Sequence, residues 1–349
     1  MTERENFLAA ARFLGPEWIP CCVGIMPATW ARYREDLEGL LLRHPKLFPD
    51  FEPGKVAFDE FGPTYREGEL FTDNWGTVWD NRRGGLEGSP IRNPLADWSA
   101  LDSYSAPDPL RYAEREKRPD WAETEAEIKR RRAGGRTVWG WVDRFFERLH
   151  FLRGFGNLML DLGTGDARLG KLIDLVIDHN VALARRWVEL GVDVLSFGDD
   201  LGTQKGPMVG LGRFREFLLP GYRREFGVGR RAGTEVYLHS DGRIVDLIPD
   251  LADAGVTIIN PQAGCNGLLD IARVCKGRVC VNLDLDRQGV LPSGSPGDVR
   301  EHVREAIERL GHPSGGLMIF GECEPDVPME NIESLCRAME DLCMRGRSS

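Results

Sequence analysis

Six short apolar stretches in the C-terminal two-thirds of the chain each end on a polar residue that can handle a proton or a metal. Asp143 follows TVWGWV, Asp199-Asp200 follow LSFG, His239-Ser240-Asp241 follow VYL, and Asn260-Pro261-Gln262 follow TII. Asn282 and Asp284 sit within VNLD, and Glu322-Cys323 follow MIFG. The i, i+2 spacing of His239 and Asp241 can put an imidazole nitrogen and a carboxylate on one metal or on one proton path. Asp199 and Asp200 are adjacent carboxylates at the head of a long polar loop, a placement suited to binding or acid–base work. Glu322 and Cys323 offer a hard and a soft third ligand to a zinc bound by His239, because a catalytic zinc keeps three protein ligands and one open position. A buried thiol at a strand end is the competing reading of Cys323. Asp143 and Asp241 also read as caps for the helices that follow. Gln262, Asn282 and Asp284 complete the set as polar groups for a substrate. The other five histidines fall in helical stretches (His150, His179, His302) or before prolines (His44, His312) and read as structural. The glycines at 163, 165 and 170 depart from the dinucleotide pattern GxGxxG.

Residues so regularly placed need elements that deliver them to one end. From about residue 130, apolar runs at 137–141, 192–197, 235–239, 256–260, 278–284 and 316–320 alternate with amphipathic helical stretches, as in successive βα units of a parallel sheet. Leu169, Leu172, Ile173, Val176, Leu183, Trp187 and Leu190 recur at the three-and-four spacing of one buried stripe. Helices are expected at 3–13, 29–43, 213–226, 244–254, 297–310 and 329–343, the last two with proline and acidic residues at their starts. Runs at 19–24 and 55–60 raise the strand count to eight, the number that closes a barrel, with a doubly wound open sheet as the competing architecture. In either fold, ligands bind beyond the carboxyl ends of the strands. Residues 48–109 are rich in Gly, Pro and aromatics, with a hairpin at 69–79. That stretch reads as a lid or edge excursion within a single domain spanning 1–349. The stretch 111–132 is heavily charged and reads as a solvated helix.

Composition narrows the partners. The chain has 349 residues, 42% hydrophobic, and a formal net charge of -10, which disfavours nucleic acid and anionic membrane surfaces as partners. There is no apolar run of about 18 residues, and the acidic start lacks the basic flank of a signal peptide, so a cytoplasmic protein acting on a small molecule is expected. Eight cysteines without a CxxC pair read mostly as reduced thiols.

The stretches FFERLHFLRGFGNLMLDL (145–162), FGDDLGTQKGPMVGLGRFREFLLPGYRREF (197–226), HSDGRIVDLIPDLADAGVTIINPQA (239–263), VCVNLDLDRQGVLPSGSPGDVREHVREAI (279–307) and GGLMIFGECEPDVPMENIESL (315–335) resemble the uroporphyrinogen decarboxylase superfamily. This superfamily comprises the haem-pathway decarboxylase and zinc-dependent methyltransferases that work with methyl-corrinoid proteins. The resemblance implies a (β/α)8 TIM barrel. It also maps ATWARY (28–33) onto the decarboxylase's arginine-rich signature, keeping Arg32 but placing Ala28 where the first arginine stands, and it puts Asp73, in FTDNWG, near the decarboxylase's essential aspartate. Against the methyltransferase branch, whose zinc sits on an HxC pair and a later cysteine, Asp241 replaces the first thiolate. The later cysteine aligns with Gly321, so that Glu322 or Cys323 must serve. The resemblance thus implies a metal-assisted methyltransferase with a corrinoid (cobalamin) protein as partner, zinc as a cofactor and a homodimer as the assembly. The alternatives are decarboxylation of an acidic tetrapyrrole and a non-catalytic binding barrel.

Overall fold

The computed structural model describes residues 1–111 and 120–345. Seven parallel strands form one curled sheet: β1 (Cys21–Ile25), β5 (Trp139–Trp141), β6 (Val194–Gly198), β7 (Glu235–Ser240), β8 (Ile258–Pro261), β9 (Cys280–Asp284) and β10 (Leu317–Cys323). Their spatial order, β1-β10-β9-β8-β7-β6-β5, follows the sequence around a barrel wall and never reverses, which rules out a doubly wound sheet. Helices on the outside pack against the outward-facing strand residues, as in a TIM barrel. The barrel is closed by hydrogen bonds everywhere except between β1 and β5, where no ladder forms among the described residues.

The eighth strand expected at 55–60 is absent; those residues run irregularly. The short apolar run there, 56–58, has another use. Phe58 stacks on Trp30 with ring centres 6.2 Å apart, and the Arg34 guanidinium lies 4.9 Å from the same ring, so the segment is spent on covering helix Pro27–Leu42. The expected hairpin is present as β2 (Leu70–Thr72) and β3 (Val78–Asp80), joined by β4 (Ser89–Arg92) in a small antiparallel sheet. That sheet sits at the rim near the carboxyl end of β5. Thr77 Oγ1 and Asn93 Nδ2 both donate to Phe151 O, and Leu95 N donates to Leu152 O, tying it to helix Phe146–Arg153.

The opposite end of the barrel is plugged by helix Glu3–Ala11, whose start is fixed by a reciprocal capping box of Thr2 and Glu5. Glu3 accepts from Thr137, Arg4 pairs with Asp193, Arg12 pairs with Glu235, and Gly316 N donates to Ala10 O; these four partners stand at the entries of β5, β6, β7 and β10. Phe7 and Ala10 then join Val194, Ile258, Cys280 and Met318 in an apolar floor inside the barrel. The helix expected within 111–132 is present as Trp121–Ala133, while 112–119 lie outside the described residues. The stripe on helix Leu169–Glu189 buries Leu169, Leu172, Ile173, Val176 and Leu183 as its spacing requires. No described helix is long and apolar enough to cross a membrane.

Candidate functional site

Side chains alternate across a strand, so one register decides which residues see the barrel interior. On β7, Tyr237 and His239 face inward; on β8, Asn260; on β9, Asn282; and on β10, Met318, Phe320 and Glu322. All of these line a cavity of about 1220 Å³ that occupies the barrel interior and opens between β1 and β5 toward helix Trp121–Ala133. His239 is at its upper end, beneath the carboxyl-end mouth. The Nδ1 atom of His239 lies 2.6 Å from Asn260 Oδ1. A carbonyl oxygen there makes Nδ1 the donor and turns Nε2 toward the carboxylates. Asn260 is itself held, donating from Nδ2 to Asn282 O at 2.5 Å.

His239 Nε2 is 3.1 Å from Asp241 Oδ1 and 3.9 Å from Asp200 Oδ1, and the backbone N–H of Asp241 donates to Asp200 Oδ1 at 2.9 Å. One donor atom from each of Asp200, His239 and Asp241 lies within 4.8 Å of the others, a spacing that can hold a metal ion. Burial works to lower the His239 pKa. The hydrogen bond and charge of Asp241, with the charge of Asp200, overcome it and raise the pKa to about 9. The site therefore demands positive charge at Nε2, as a proton or as a cation in its place.

A second layer stands behind this trio. Arg287 bonds to Asp241 and to Glu322, and its Nε lies 3.6 Å from Asp284 and 3.8 Å from Glu324. Asp284 is fully buried, and neither of its oxygens accepts a hydrogen bond. Burial pushes its carboxyl up to about 7 against the opposing charges of Arg287 and His239. Gln262, bridged to Asp284 along the sheet, accepts from Gly242 N through Oε1, while its buried Nε2 has no partner. Buried polar atoms are rarely left unbonded, so these three orphans mark a place built to meet something else.

Other residues singled out from the sequence go elsewhere. Asp199 is the neighbour of Asp200 but faces the other way. Its carboxylate accepts from the backbone N–H of Phe145, Phe146 and Glu147 (3.1, 2.6 and 2.8 Å) and from the Tyr222 hydroxyl (2.5 Å), so it caps helix Phe146–Arg153 from a distant strand. Asp199, expected from the sequence to be catalytic, is thus directed to the helix start and not to His239. Cys323 is fully buried in the layer between sheet and helices, and burial pushes its thiol up to about 12. It points away from His239 because it has the same parity as Gly321, whose missing side chain makes room for Leu335 and Met339. Glu322 is the inward residue of that pair, and it is engaged by Arg287 rather than grouped with His239. Of the ligands expected from the sequence, His239 and Asp241 come together, and it is Asp200, not Glu322 or Cys323, that stands third beside them.

Asp73 is buried in the small sheet. It accepts from Trp75 N, Thr77 N and Trp79 Nε1 and pairs with Arg148 at 2.8 Å, outside the cavity wall. Arg32 is exposed and donates to Pro325 O, fastening helix Pro27–Leu42 to the loop after β10. Neither Asp73 nor Arg32 lines the cavity as the substrate-binding role requires. Asp143 is buried against Trp75 and Arg148 and does not cap the next helix; Asp199 does.

Reasoning from strand ends passed over Arg287, although it lies only three residues beyond Asp284 in LDLDR. It also passed over Trp141, an inward residue on β5 that is 62% exposed. Glu147 went unnoticed as well: its carboxylate accepts from Asp200 N at 3.1 Å and steadies that residue. Its signal was hidden in a helix, away from any strand end.

Comparison with known proteins agrees with this architecture. The sequence model of the uroporphyrinogen decarboxylase (URO-D) family matches residues 84–342. A methyltransferase from Methanosarcina mazei superposes with a TM-score of 0.69 over 98% of this chain and 99% of its own, at 18% identity. A dihydropteroate synthase from Xanthomonas albilineans aligns over 60% of this chain and 68% of its own at 20% identity, with a TM-score of 0.37. No curated protein matches the sequence. With the family match covering well over half its length, on a barrel of the expected strand order, the chain belongs to the uroporphyrinogen decarboxylase family.

Proposed function

We propose that this family member is a metal-assisted methyltransferase that works with a corrinoid protein, with Asp200, His239 and Asp241 as the metal ligands. The observation that carries the reading is the convergence of those three donors within 4.8 Å at the barrel mouth, next to a buried, unbonded Asp284. The residues fit a divalent metal. Asn260 fixes the imidazole so that Nε2 is the free donor, an arrangement in which an outer hydrogen bond orients a ligand. One nitrogen and two carboxylates form an oxygen-rich set, harder than a thiolate site, that suits zinc or another first-row divalent ion. Such a metal supplies Lewis acidity toward an oxygen or thiol of the substrate. Glu147 holds the backbone of Asp200, Gly242 and Gln262 hold the loop of Asp241, and Arg287 balances the surplus carboxylates.

Decarboxylation of an acidic tetrapyrrole fits less well. A macrocycle with many carboxylates needs several free cations in the cavity. Arg32 and Asp73 lie outside it, Arg144 is paired with Glu87 and Glu147, and Arg287 with Asp241 and Glu322.

The test is metal analysis of protein purified under reducing conditions, alongside His239→Ala and Asp200→Asn. About one divalent ion per chain in the wild type, falling to about a tenth or less in His239→Ala, is expected. A wild type that retains no metal after supplementation with zinc, manganese or iron sinks the reading.

A further inference from the structure

The interior of a TIM barrel is ordinarily filled by layers of side chains. Here a cavity of about 1220 Å³ begins above the floor made by Phe7, Ile258 and Met318 and runs out between β1 and β5 to helix Trp121–Ala133. The space has a sequence cause. The inward positions of β1 and β6 above that floor are Cys22, Gly24, Ser196 and Gly198, all small, and a Cβ on Gly198 would meet no atom within 4 Å. Beside them stand Trp141 and Tyr237, the register partners of Ser196; Phe320, whose ring fills the space left by Gly24; and Trp139.

The rings are not equivalent. Trp139 meets Phe7 and Tyr237 edge-on at 5.4 and 5.3 Å, so its surroundings are already taken. Trp141 lies nearly parallel to Trp139, 6.2 Å away, and 62% of it is exposed at the cavity wall, whereas Trp18, Trp75, Trp79 and Trp98 are buried. One open indole favours stacking of a flat ring; a caged ammonium needs several faces converging on one point. Charge disfavours an acidic ligand: Glu3 and Glu322 line the space, and the arginines that reach it, Arg130, Arg131 and Arg144, are paired with Glu127, Glu87 and Glu147.

We propose that the barrel interior is a substrate chamber for a single aromatic ring, stacked against Trp141 with its reacting substituent turned up toward His239. Asn282 and Tyr237, which approach each other to 3.5 Å, stand on the wall between floor and His239 and supply hydrogen bonds to a ring substituent. The chamber rests on the methyl-transfer reading only for the identity of the reacting substituent, taken as a methoxy group.

Calorimetric titration with 2-methoxyphenol and with its saturated counterpart, 2-methoxycyclohexanol, tests it. These probes share substituents and differ in the ring. The wild type should bind the aromatic probe more tightly, Trp141→Leu should lose about tenfold in affinity, and Trp141→Phe should keep most of it. Equal binding of the two probes, no loss in Trp141→Leu, or no binding of the aromatic probe at all overturns the chamber. The His239→Ala variant separates the two ideas: ring binding retained there supports the chamber independently of any metal. A wild type with stoichiometric metal and no ring binding removes the chamber and leaves the metal reading standing.

Discussion

Two adjacent aspartates can have opposite duties, and the backbone alone decides which. Asp199 and Asp200 leave β6 on opposite sides, one toward helix Phe146–Arg153 and the other toward His239. Burial raises the Asp199 carboxyl to about 6, held from rising further by the Tyr222 hydroxyl and the backbone N–H groups it accepts. An Asn at this position presents an amide N–H to donors that need an acceptor. Asp199→Asn is therefore expected to cost about 2–4 kcal/mol of stability, measured by denaturant unfolding, because it strands buried donors. Metal content in the folded fraction should stay unchanged, whereas Asp200→Asn should lower it with little effect on stability. Loss of metal in Asp199→Asn at unchanged stability would reverse the two assignments. Residue types at strand ends were legible in the sequence, and so was the inward parity of His239, Asn260, Asn282 and Glu322. The direction of a residue just past a strand was not, since no periodicity governs a loop, which is why Asp199 was grouped with the site. Cys323 was grouped with it because the strand was expected to end at 320, whereas β10 runs on to Cys323 and its parity turns the thiol outward.

Elements bring Asp200 and Asp241 together through a backbone crossing. The loops after β6 and β7 touch at Gly202 and Gly242: Gly202 N donates to Asp241 O, and Arg243 N donates to Thr203 O at 2.7 Å. Gly242 has φ +79°, and a Cβ there would lie 2.3 Å from the carbonyl carbon and oxygen of Gly202. No L side chain fits that approach, and the neighbouring backbone cannot yield as a flexible side chain would. Gly242→Ala should therefore spread the two loops. Shifts of order 1 Å at a catalytic constellation cost about a hundredfold in activity. The variant is expected to lose metal affinity by at least about tenfold while the far-ultraviolet circular dichroism keeps its wild-type form. Unchanged metal affinity in Gly242→Ala would mean that the crossing does not set the distance between the carboxylates. The seven parallel strands, the outer helices and the hairpin were readable from periodicity and turn residues. The run 55–60 misled because a short apolar run also describes an irregular segment that lays Phe58 on Trp30. Arg287 escaped notice because its importance comes from four carboxylates on three different strand ends.

At the scale of the whole molecule, the barrel carries one seam. β1 pairs only with β10 and β5 only with β6, so both strands present a row of backbone groups toward the gap between them. Unpaired strand edges invite other chains and are normally covered or closed. Here helix Trp121–Ala133 lies on the seam's outer side, its Trp121 ring edge-on to Trp187 at 5.2 Å, and Arg132 is tied to Asp193 at the barrel floor. The small antiparallel sheet crosses the rim above it, and the interior cavity reaches the helix, since Glu123, Thr124 and Glu127 line it together with Cys21, Cys22 and Trp139. A helix can shield such a gap but cannot complete a β-ladder, so amides facing the seam depend on local opening rather than on global unfolding for their exchange. Hydrogen–deuterium exchange read residue by residue should show the seam-facing amides of β1 and β5 exchanging at least about tenfold faster than those of β8 and β9, which are paired on both sides. An aromatic ligand seated on Trp141 should slow the exchange of β5 in particular. Equal protection of all seven strands in the free protein would show that the barrel closes in solution, and that the chamber is reached from the mouth alone.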